Sequence, residues 1–146
     1  MRLVLQRVSK ASVRVGSEVV GEVQRGVLVL AGVEKGDGLS QVDAAVRKLA
    51  GLRLFEDDAG RMNLDTAAVG GAFLVVSQFT LAGSPLARGR RPSFTGAAQP
   101  ALAEPLVEKL VAGLRQAGFE VATGRFGAQM EVELVNDGPV TFVVDL

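Results

Sequence analysis

Residues 72–81 have the sequence Ala72-Phe73-Leu74-Val75-Val76-Ser77-Gln78-Phe79-Thr80-Leu81, an apolar run that ends in Ser, Gln and Thr. The consecutive apolar residues follow a Gly-Gly break and predict a buried strand over residues 72–76. This strand would hold residues 77–81 rigidly at its end, where backbone N–H groups lose their ladder partners and can face a ligand. We therefore expect the remainder of the chain to be a scaffold around this strand end.

The flanking segments predict an α+β domain. Alternating or continuous apolar patterns indicate strands, and apolar side chains three or four residues apart indicate helices. Further strands are expected over residues 3–15, 18–23, 27–33, 52–55, 119–121, 130–135 and 140–144, with the first three forming a meander. One helix is expected over residues 41–50. A second carries an apolar stripe over residues 102–114 and begins at Pro100 or near Glu104, because Pro105 removes a helical hydrogen bond. We infer one domain over residues 1–146, with a curved or barrel-like, mostly antiparallel sheet and two main helices packed on it.

The chain contains neither cysteine nor histidine. Without cysteine there is no disulfide, thiolate nucleophile or cysteine-based metal site. The absence of histidine excludes a Ser-His-Asp triad and the usual zinc sites. An enzyme with this sequence has to use hydroxyls, carboxylates, Lys, Arg, backbone N–H groups and atoms of its substrate. No clustered Asp/Glu motif indicates a magnesium site, so we expect no metal and no cofactor.

Basic and acidic residues are balanced at 16 each, whereas a broad non-specific nucleic-acid binder is usually more basic. Residues 66–103 nevertheless contain no acidic side chain and include Arg88, Arg90 and Arg91. A local positive field beside residues 77–81 would suit an anionic substrate. Loop arginines also serve only for solubility, and the sequence alone gives both interpretations equal weight. No apolar run is long enough to span a membrane, so we expect a cytoplasmic location.

Two short segments are candidates for a functional site. Backbone N–H groups at the end of the predicted strand are well placed to stabilise an oxyanion, and Thr80 is a candidate nucleophile without an evident base. The residues alone favour the alternative that Ser77 and Thr80 only cap the strand. Gly138-Pro139 lies between two strand-like segments, where a proline indicates a sheet edge or a strand start. The general rarity of cis bonds favours a trans turn there.

Six motifs, in order along the chain, resemble those of the D-aminoacyl-tRNA deacylase family. They are Gln6-Arg7-Val8, Met62-Asn63-Leu64, Ser77-Gln78-Phe79-Thr80-Leu81, Arg91-Pro92-Ser93-Phe94, Thr123-Gly124-Arg125-Phe126 and Asn136-Asp137-Gly138-Pro139-Val140-Thr141. The resemblance covers essentially the whole chain. It implies a barrel-like fold with packed helices, hydrolysis of the ester bond of D-aminoacyl-tRNA, and a homodimer with its active sites at the interface.

The resemblance implies that Gly138 and Pro139 select the chirality of the substrate. Their peptide bond would be cis and would enter the active site of the partner subunit, presenting carbonyl groups to the aminoacyl group. An L side chain would clash there while a D side chain points elsewhere, which makes the selection one of rejection. Glycine, which has no side chain, would then be poorly rejected. Arg7 would hold this loop in place.

The resemblance also implies roles for the other site residues. Residues 77–80 would form the catalytic wall, with the N–H groups of Gln78 and Phe79 near the ester carbonyl. Phe126 and Met130 match positions that bind the terminal adenosine, and stacking of a base on an aromatic ring is common in RNA recognition. Core packing is the alternative role for Phe126 and Met130.

The missing histidine is consistent with a mechanism in which the 2′-OH of the substrate assists the attack. Two alternatives stay open. Thr80 would act as a covalent nucleophile in the same reaction, or the chain would be a dimeric RNA-end-binding module without turnover. The expected partners are the acceptor end of aminoacyl-tRNA and a second copy of the chain, with no membrane and no DNA.

Overall fold

The computed structural model describes residues 1–84 and 90–146. The strands of this part of the chain are β1 (Arg2–Val15), β2 (Glu18–Val23), β3 (Gly26–Gly32), β4 (Phe55–Glu56), β5 (Met62–Leu64), β6 (Ala72–Ser77), β7 (Val121–Thr123) and β8 (Glu131–Asp145). Its helices are α1 (Leu39–Gly51) and α2 (Pro100–Gln116), and a short 3₁₀ turn spans Phe79–Ala82.

Strand β1 is the centre of the main sheet. It pairs in antiparallel orientation with β2, β3 and β8. Strand β6 continues the sheet in parallel from β3, and β7 pairs in parallel with β6. The short strands β4 and β5 form a separate hairpin. The mostly antiparallel sheet predicted from the sequence is therefore confirmed.

The order of the first three strands differs from the predicted meander. Strand β3 pairs with β1 rather than with β2, so the meander was wrong. Strand β2 pairs only with residues 11–15 of β1, which leaves residues 2–8 of β1 for β3. Because β1 is 14 residues long, one of its edges accommodates both partners and the other edge pairs with β8.

The sheet curves into a nearly closed barrel, as predicted. Gly21 in β2 lies so close to β7 that a Cβ atom built on it would be 2.4 Å from the carbonyl oxygen of Thr123. Strands at opposite ends of the sheet order therefore approach each other. A residue without a side chain is required at this closure, because a Cβ atom at that distance from backbone would be a steric clash.

Strands β3 and β6 are buried on both faces, which explains why their sequences are continuously apolar. Val29 and Val75 belong to a core that also contains the apolar faces of α1 and α2. Leu28 and Leu74 belong to a second core, enclosed by the curved sheet. The two helices thus pack on the outer face of the sheet, and the end of β6 lies between the two cores.

Both helices extend slightly beyond the predicted ranges. Helix α1 is capped by Gly38, whose N–H donates to Oε1 of Gln41 at 3.0 Å. Helix α2 begins at Pro100 and continues through Pro105. Within the described ranges, no helix is both long and apolar enough to cross a membrane.

The last two predicted strands are one strand, β8, with an interruption in its register. Gln6 pairs with Thr141 and Val8 pairs with Asn136, so residues 137–140 all lie opposite the single residue Arg7. Gly138-Pro139 therefore forms a bulge in a strand rather than a turn between two strands. Within the described sheet β8 pairs only with β1, which agrees with the sheet edge predicted for a proline.

Candidate functional site

A cavity of about 340 Å³ lies where strands β3 and β6 end against helix α2. Its walls come from the ends of these strands, from one side of α2 and from the segment that precedes β8. The lining includes Ser77, Gln78, Phe79, Val107, Phe126 and Met130. The side chains are largely apolar, so the cavity suits a flat, uncharged group such as a base.

Gly32 allows the turn after β6 to lie against β3. A Cβ atom on Gly32 would be 2.8 Å from the Cβ of Leu81 and 3.0 Å from the carbonyl oxygen of Gln78. Any side chain at this position would push the 3₁₀ turn away from the sheet. Sequence reasoning did not single out Gly32, because the close approach joins segments that are distant along the chain.

Arg2 fixes the far side of the same turn. Its Nη1 donates to the carbonyl oxygen of Leu81 at 3.3 Å, and its Nε donates to Oδ1 of Asp145 at 2.6 Å. The hydrogen bond with Asp145 and, after it, the negative charge of that carboxylate raise the pKa of Arg2. The guanidinium links the turn to the end of β8, a role that the sequence did not reveal.

The backbone N–H groups at the start of the turn differ in their hydrogen bonds. The N–H of Gln78 donates to the carbonyl oxygen of Ala31 at 2.8 Å. Over residues 1–84 and 90–146, the N–H groups of Phe79 and Thr80 have no protein acceptor, as is usual in the first residues of a helical turn. Of the two N–H groups expected near an ester carbonyl, only that of Phe79 is available to a ligand.

The hydroxyl of Thr80 faces the side chain of Gln78 rather than the cavity. Nε2 of Gln78 donates to Oγ1 of Thr80 at 2.6 Å. Thr80 is exposed and does not line the cavity, whereas Ser77, Gln78 and Phe79 do. The arrangement stabilises the turn and supplies no proton acceptor that would activate the hydroxyl.

Phe126 and Met130 lie on the opposite side of the cavity. Both are half-buried and pack partly against the two cores, so the core-packing alternative accounts for part of their surface. Gly124 makes room for Met130, because a Cβ atom on Gly124 would be 2.6 Å from the sulfur Sδ. The structure thus brings these two side chains into one cavity with residues 77–79.

The loop before α2 forms the rim of the cavity. It is held to the β3–α1 connection by backbone hydrogen bonds from Ala98 to Val33 at 3.0 Å and from Lys35 to Gly96 at 2.9 Å. Near it, the rings of Phe79 and Phe94 meet edge to face, with centroids 5.1 Å apart and an interplanar angle of 63°. Phe79 is 59% exposed, so the rim presents an aromatic surface to solvent.

The arginines of the acid-free segment fall partly outside the described residues. Arg88 lies in the range 85–89, which the structure does not describe. Arg90 and Arg91 are exposed. The predicted positive field beside the site stays a prediction.

Residues 137–139 of the bulge are exposed, Val140 is buried, and one side chain closes the bulge. The Gly138-Pro139 bond is cis, as the family resemblance implied and contrary to the trans turn favoured by the general rarity of cis bonds. Asn136 spans the bulge: its Oδ1 accepts the N–H of Val140 at 2.7 Å, and its Nδ2 donates to Oγ1 of Thr141 at 3.1 Å. Sequence reasoning assigned no role to Asn136, although it lies in the quoted motif.

Arg7 lies under this bulge and is only 6% exposed. Its Nε donates to the carbonyl oxygen of Asp137 at 2.7 Å, and its Nη1 donates to that of Leu54 at 2.7 Å. The carboxylates of Asp137 and Glu56 lie 3.6 and 3.7 Å from guanidinium nitrogens. The buried charge is thus satisfied by two carbonyls and two exposed carboxylates, and it ties the bulge to the barrel.

The bulge and the cavity lie at different positions along the strands of the sheet. Ser77 is level with Ala31 and Leu3, whereas Arg7 is four residues further along β1. At about 3.3 Å per residue, the two positions are separated by about 13 Å along the strands. The predicted residues therefore form two groups in one chain: residues 77–79 with Phe126 and Met130, and Arg7 with the Gly138-Pro139 bulge.

Comparisons with known proteins identify relatives over the full chain. The family described as D-Tyr-tRNA(Tyr) deacylase matches residues 4–145. A D-aminoacyl-tRNA deacylase of Symbiobacterium thermophilum is 54% identical over 145 residues, which are 99% of this chain and 95% of the relative. A D-aminoacyl-tRNA deacylase of Geobacter sulfurreducens is 55% identical over 147 residues, with 99% and 95% of the two chains covered.

Solved structures with the same fold include two with full coverage. The c-Myc DNA Unwinding Element Binding Protein superposes with a TM-score of 0.92 at 35% identity, covering 100% of this chain and 99% of its own. A probable eukaryotic D-amino acid tRNA deacylase superposes with a TM-score of 0.84 at 18% identity, covering 99% and 98%. At 18% identity the second likeness shows the fold alone.

Proposed function

We propose the function of this chain on the basis that it belongs to the D-Tyr-tRNA(Tyr) deacylase family. It is accordingly a D-aminoacyl-tRNA deacylase, a hydrolase that acts on the ester bond of aminoacyl-tRNA. The observation that carries the more detailed proposal is the cavity at the end of β6, which combines a free backbone N–H with a largely apolar wall. We propose that the enzyme acts in the cytoplasm as a proofreader that rejects L-aminoacyl groups.

The cavity would hold the terminal adenosine of the tRNA. Phe126 and Met130 offer an aromatic ring and a polarisable thioether, both suited to contact the face of a base. The aminoacyl ester would then lie towards Ser77 and Phe79 at the end of β6. This placement is supported by the shared lining of the cavity, which includes all four side chains.

Water would attack the ester carbonyl carbon with assistance from the 2′-OH of the terminal ribose. The carbonyl oxygen becomes negative as the tetrahedral intermediate forms, and the N–H of Phe79 would donate a hydrogen bond to it. The intermediate would collapse by breaking the ester C–O bond, and the ribose oxygen would take up a proton as it leaves. No histidine or cysteine is required, in agreement with their absence from the chain.

Selection against L-amino acids would come from a second subunit. A bulge about 13 Å along the strands from its own cavity is better placed to serve the cavity of a partner. The exposed apolar side chains of Val135, Phe142 and Val143 flank the bulge on β8, and such a surface suits burial in a homodimer. Carbonyl groups at Gly138 and Pro139 would leave room for a D side chain or for glycine, and would clash with an L side chain.

The Thr80 nucleophile and the non-catalytic RNA-end-binding module remain the alternatives. The hydrogen bond from Gln78 and the position of Thr80 outside the cavity lining favour a structural role for its hydroxyl. The family and its named relatives favour turnover over simple binding.

Release of free tRNA from matched D- and L-aminoacyl-tRNA tests the function. We expect the D ester to be hydrolysed at least a hundredfold faster than the L ester, because a steric clash in a closed site excludes the L side chain. A glycyl ester should be hydrolysed at a rate nearer to that of the D ester. Hydrolysis of neither chiral ester would overturn the hydrolase, whereas equal hydrolysis of both would overturn the chirality filter.

A further inference from the structure

A second cavity, of about 360 Å³, adjoins the candidate active site. It shares Ser77, Val107 and Phe126 with the first cavity, so one aromatic ring borders both. The second cavity lies between helix α2 and the segment that follows β7. Its position makes it the natural place for the part of a polymeric substrate next to the group held in the first cavity.

The polar groups of this second cavity differ from those of the first. The exposed side chains of Glu104 and Glu108, one helical turn apart on α2, contribute carboxylates. Within the described residues neither carboxylate belongs to an ion pair. Arg115 also lines the cavity, and its Nη2 donates to the carbonyl oxygen of Val121 at 2.8 Å, which fixes the guanidinium. Carboxylates that are free to accept hydrogen bonds favour a base with an exocyclic amino group.

We propose that this cavity binds the cytidine that precedes the terminal adenosine of tRNA. This inference rests on the proposed function, in which the terminal adenosine occupies the first cavity. Every tRNA acceptor end has cytidine at this position, and the cytosine N4 amino group is a donor that Glu or Asp carboxylates accept. Uracil carries an acceptor, O4, at the same place, so a carboxylate discriminates against it.

The ring of Phe126 borders both cavities and so connects the two proposed binding sites. Successive bases of a single strand stack on aromatic side chains, and a ring that borders two cavities would be able to contact the base in each. The 5′-linked nucleotide would add contacts that adenosine alone lacks. The enzyme would therefore recognise a dinucleotide end rather than a single nucleoside.

Short esters test this without a whole tRNA. The D-aminoacyl esters of adenosine, of CpA and of UpA are compared by kcat/KM, using the wild type, a Glu104→Gln/Glu108→Gln variant and a Glu120→Gln control. Glu120 is exposed and lines neither cavity. We expect the wild type and the control to prefer CpA over UpA by about tenfold or more, and the double variant to lose most of this preference.

The ratio of two substrates is unaffected by partial misfolding, because a smaller active fraction lowers both rates equally. Hydrolysis of the esters with a wild-type CpA-to-UpA ratio near one would overturn the cytidine site and leave the proposed function intact. Retention of the preference by the double variant would also overturn it. If no D ester is hydrolysed, both the proposed function and the cytidine site are overturned.

Discussion

The hydroxyl of Thr80 and the N–H of Phe79 lie next to each other in the chain and have opposite environments. The hydroxyl accepts a hydrogen bond from Gln78 and points away from the cavity, whereas the N–H has no acceptor among the described residues. A group with an unfilled hydrogen bond is the one that a ligand can use. The chemistry proposed for the site therefore rests on the backbone, with the side chain of Thr80 as its support.

Thr80→Val tests this assignment. Valine keeps the branched shape and removes only the hydroxyl, so kcat/KM for a D-aminoacyl-tRNA should stay within about threefold of the wild type. The exposed hydrogen bond that is lost is worth about 1 kcal/mol of stability. A fall of more than a hundredfold in a variant that still unfolds in one cooperative transition would contradict a structural role. As a complement, a 2′-deoxy terminal adenosine should slow the wild type by about 10² to 10⁴, the usual contribution of an acid–base group.

Arg7 is the residue on which the bulge depends. In Arg7→Met, two charge-assisted hydrogen bonds to the carbonyls of Asp137 and Leu54 are lost, each worth about 1.5–3 kcal/mol. We expect the free energy of unfolding in urea to fall by about 3–6 kcal/mol and the D-to-L ratio of kcat/KM to fall by tenfold or more. Arg14→Met, a change at an exposed residue, is the control. An unchanged D-to-L ratio in Arg7→Met would show that Arg7 does not position the filter.

At the scale of the elements, strand β7 links the closure of the barrel to the shape of the cavity. Strand β7 is the element that β2 approaches at Gly21, and the chain leaves β7 through Gly124 to reach Phe126. A shift of β7 would therefore move the aromatic wall of the cavity. Another wall of the cavity is the end of strand β6, which is buried on both faces.

Gly21→Ala is expected to displace β7. The new Cβ atom would be 2.4 Å from the carbonyl oxygen of Thr123, and relief of such overpacking costs about 1–3 kcal/mol of stability. The KM for the D ester should rise more than kcat falls, because Phe126 is proposed to bind the terminal adenosine. Gly51→Ala, at the end of α1 with no atom within 4 Å of its new Cβ, should leave both stability and KM close to wild type. If the two variants had equal stability and equal KM, the close approach of β2 to β7 at Gly21 would be contradicted.

The sequence predicts those elements that local patterns determine. The buried strand β6 and the polar end that it presents follow from an apolar run and the residues after it. The strand that pairs with β3 does not follow from a local pattern. Both β1 and β2 could pair with β3, and β1 does so because it is long enough to pair with β2 and β3 along one edge. The continuity of β8 likewise depends on pairing with β1 on both sides of Gly138-Pro139, which no local pattern contains. The sequence also could not show that the N–H of Gln78 donates to the carbonyl oxygen of Ala31 and so is not available to a ligand. This hydrogen bond joins segments that are distant along the chain.

At the scale of the whole molecule, the proposed function requires two chains to combine, because each active site would draw one group of residues from each chain. In the proposed function the cavity would bind the adenosine and supply the oxyanion donor, and the bulge would act as the chirality filter, but within one chain they lie about 13 Å apart along the strands. A symmetric dimer would pair each cavity with the partner's bulge and produce two equivalent sites. This pairing is the central feature of the proposed function.

Mixed dimers test it most directly. One variant, Phe126→Ala/Met130→Ala, loses the adenosine contacts. A second, Gly138→Phe, deforms and fills the bulge, since even a Cβ there would be 2.6 Å from the nitrogen of Val140. We expect each to be inactive on D-aminoacyl-tRNA by itself. Re-paired in equal amounts, with mixed dimers verified by two affinity tags, they should recover about a quarter of wild-type activity, because half of the dimers are mixed and each has one intact site. No recovery in verified mixed dimers would place both groups of residues in the same chain's site and contradict the cross-subunit filter.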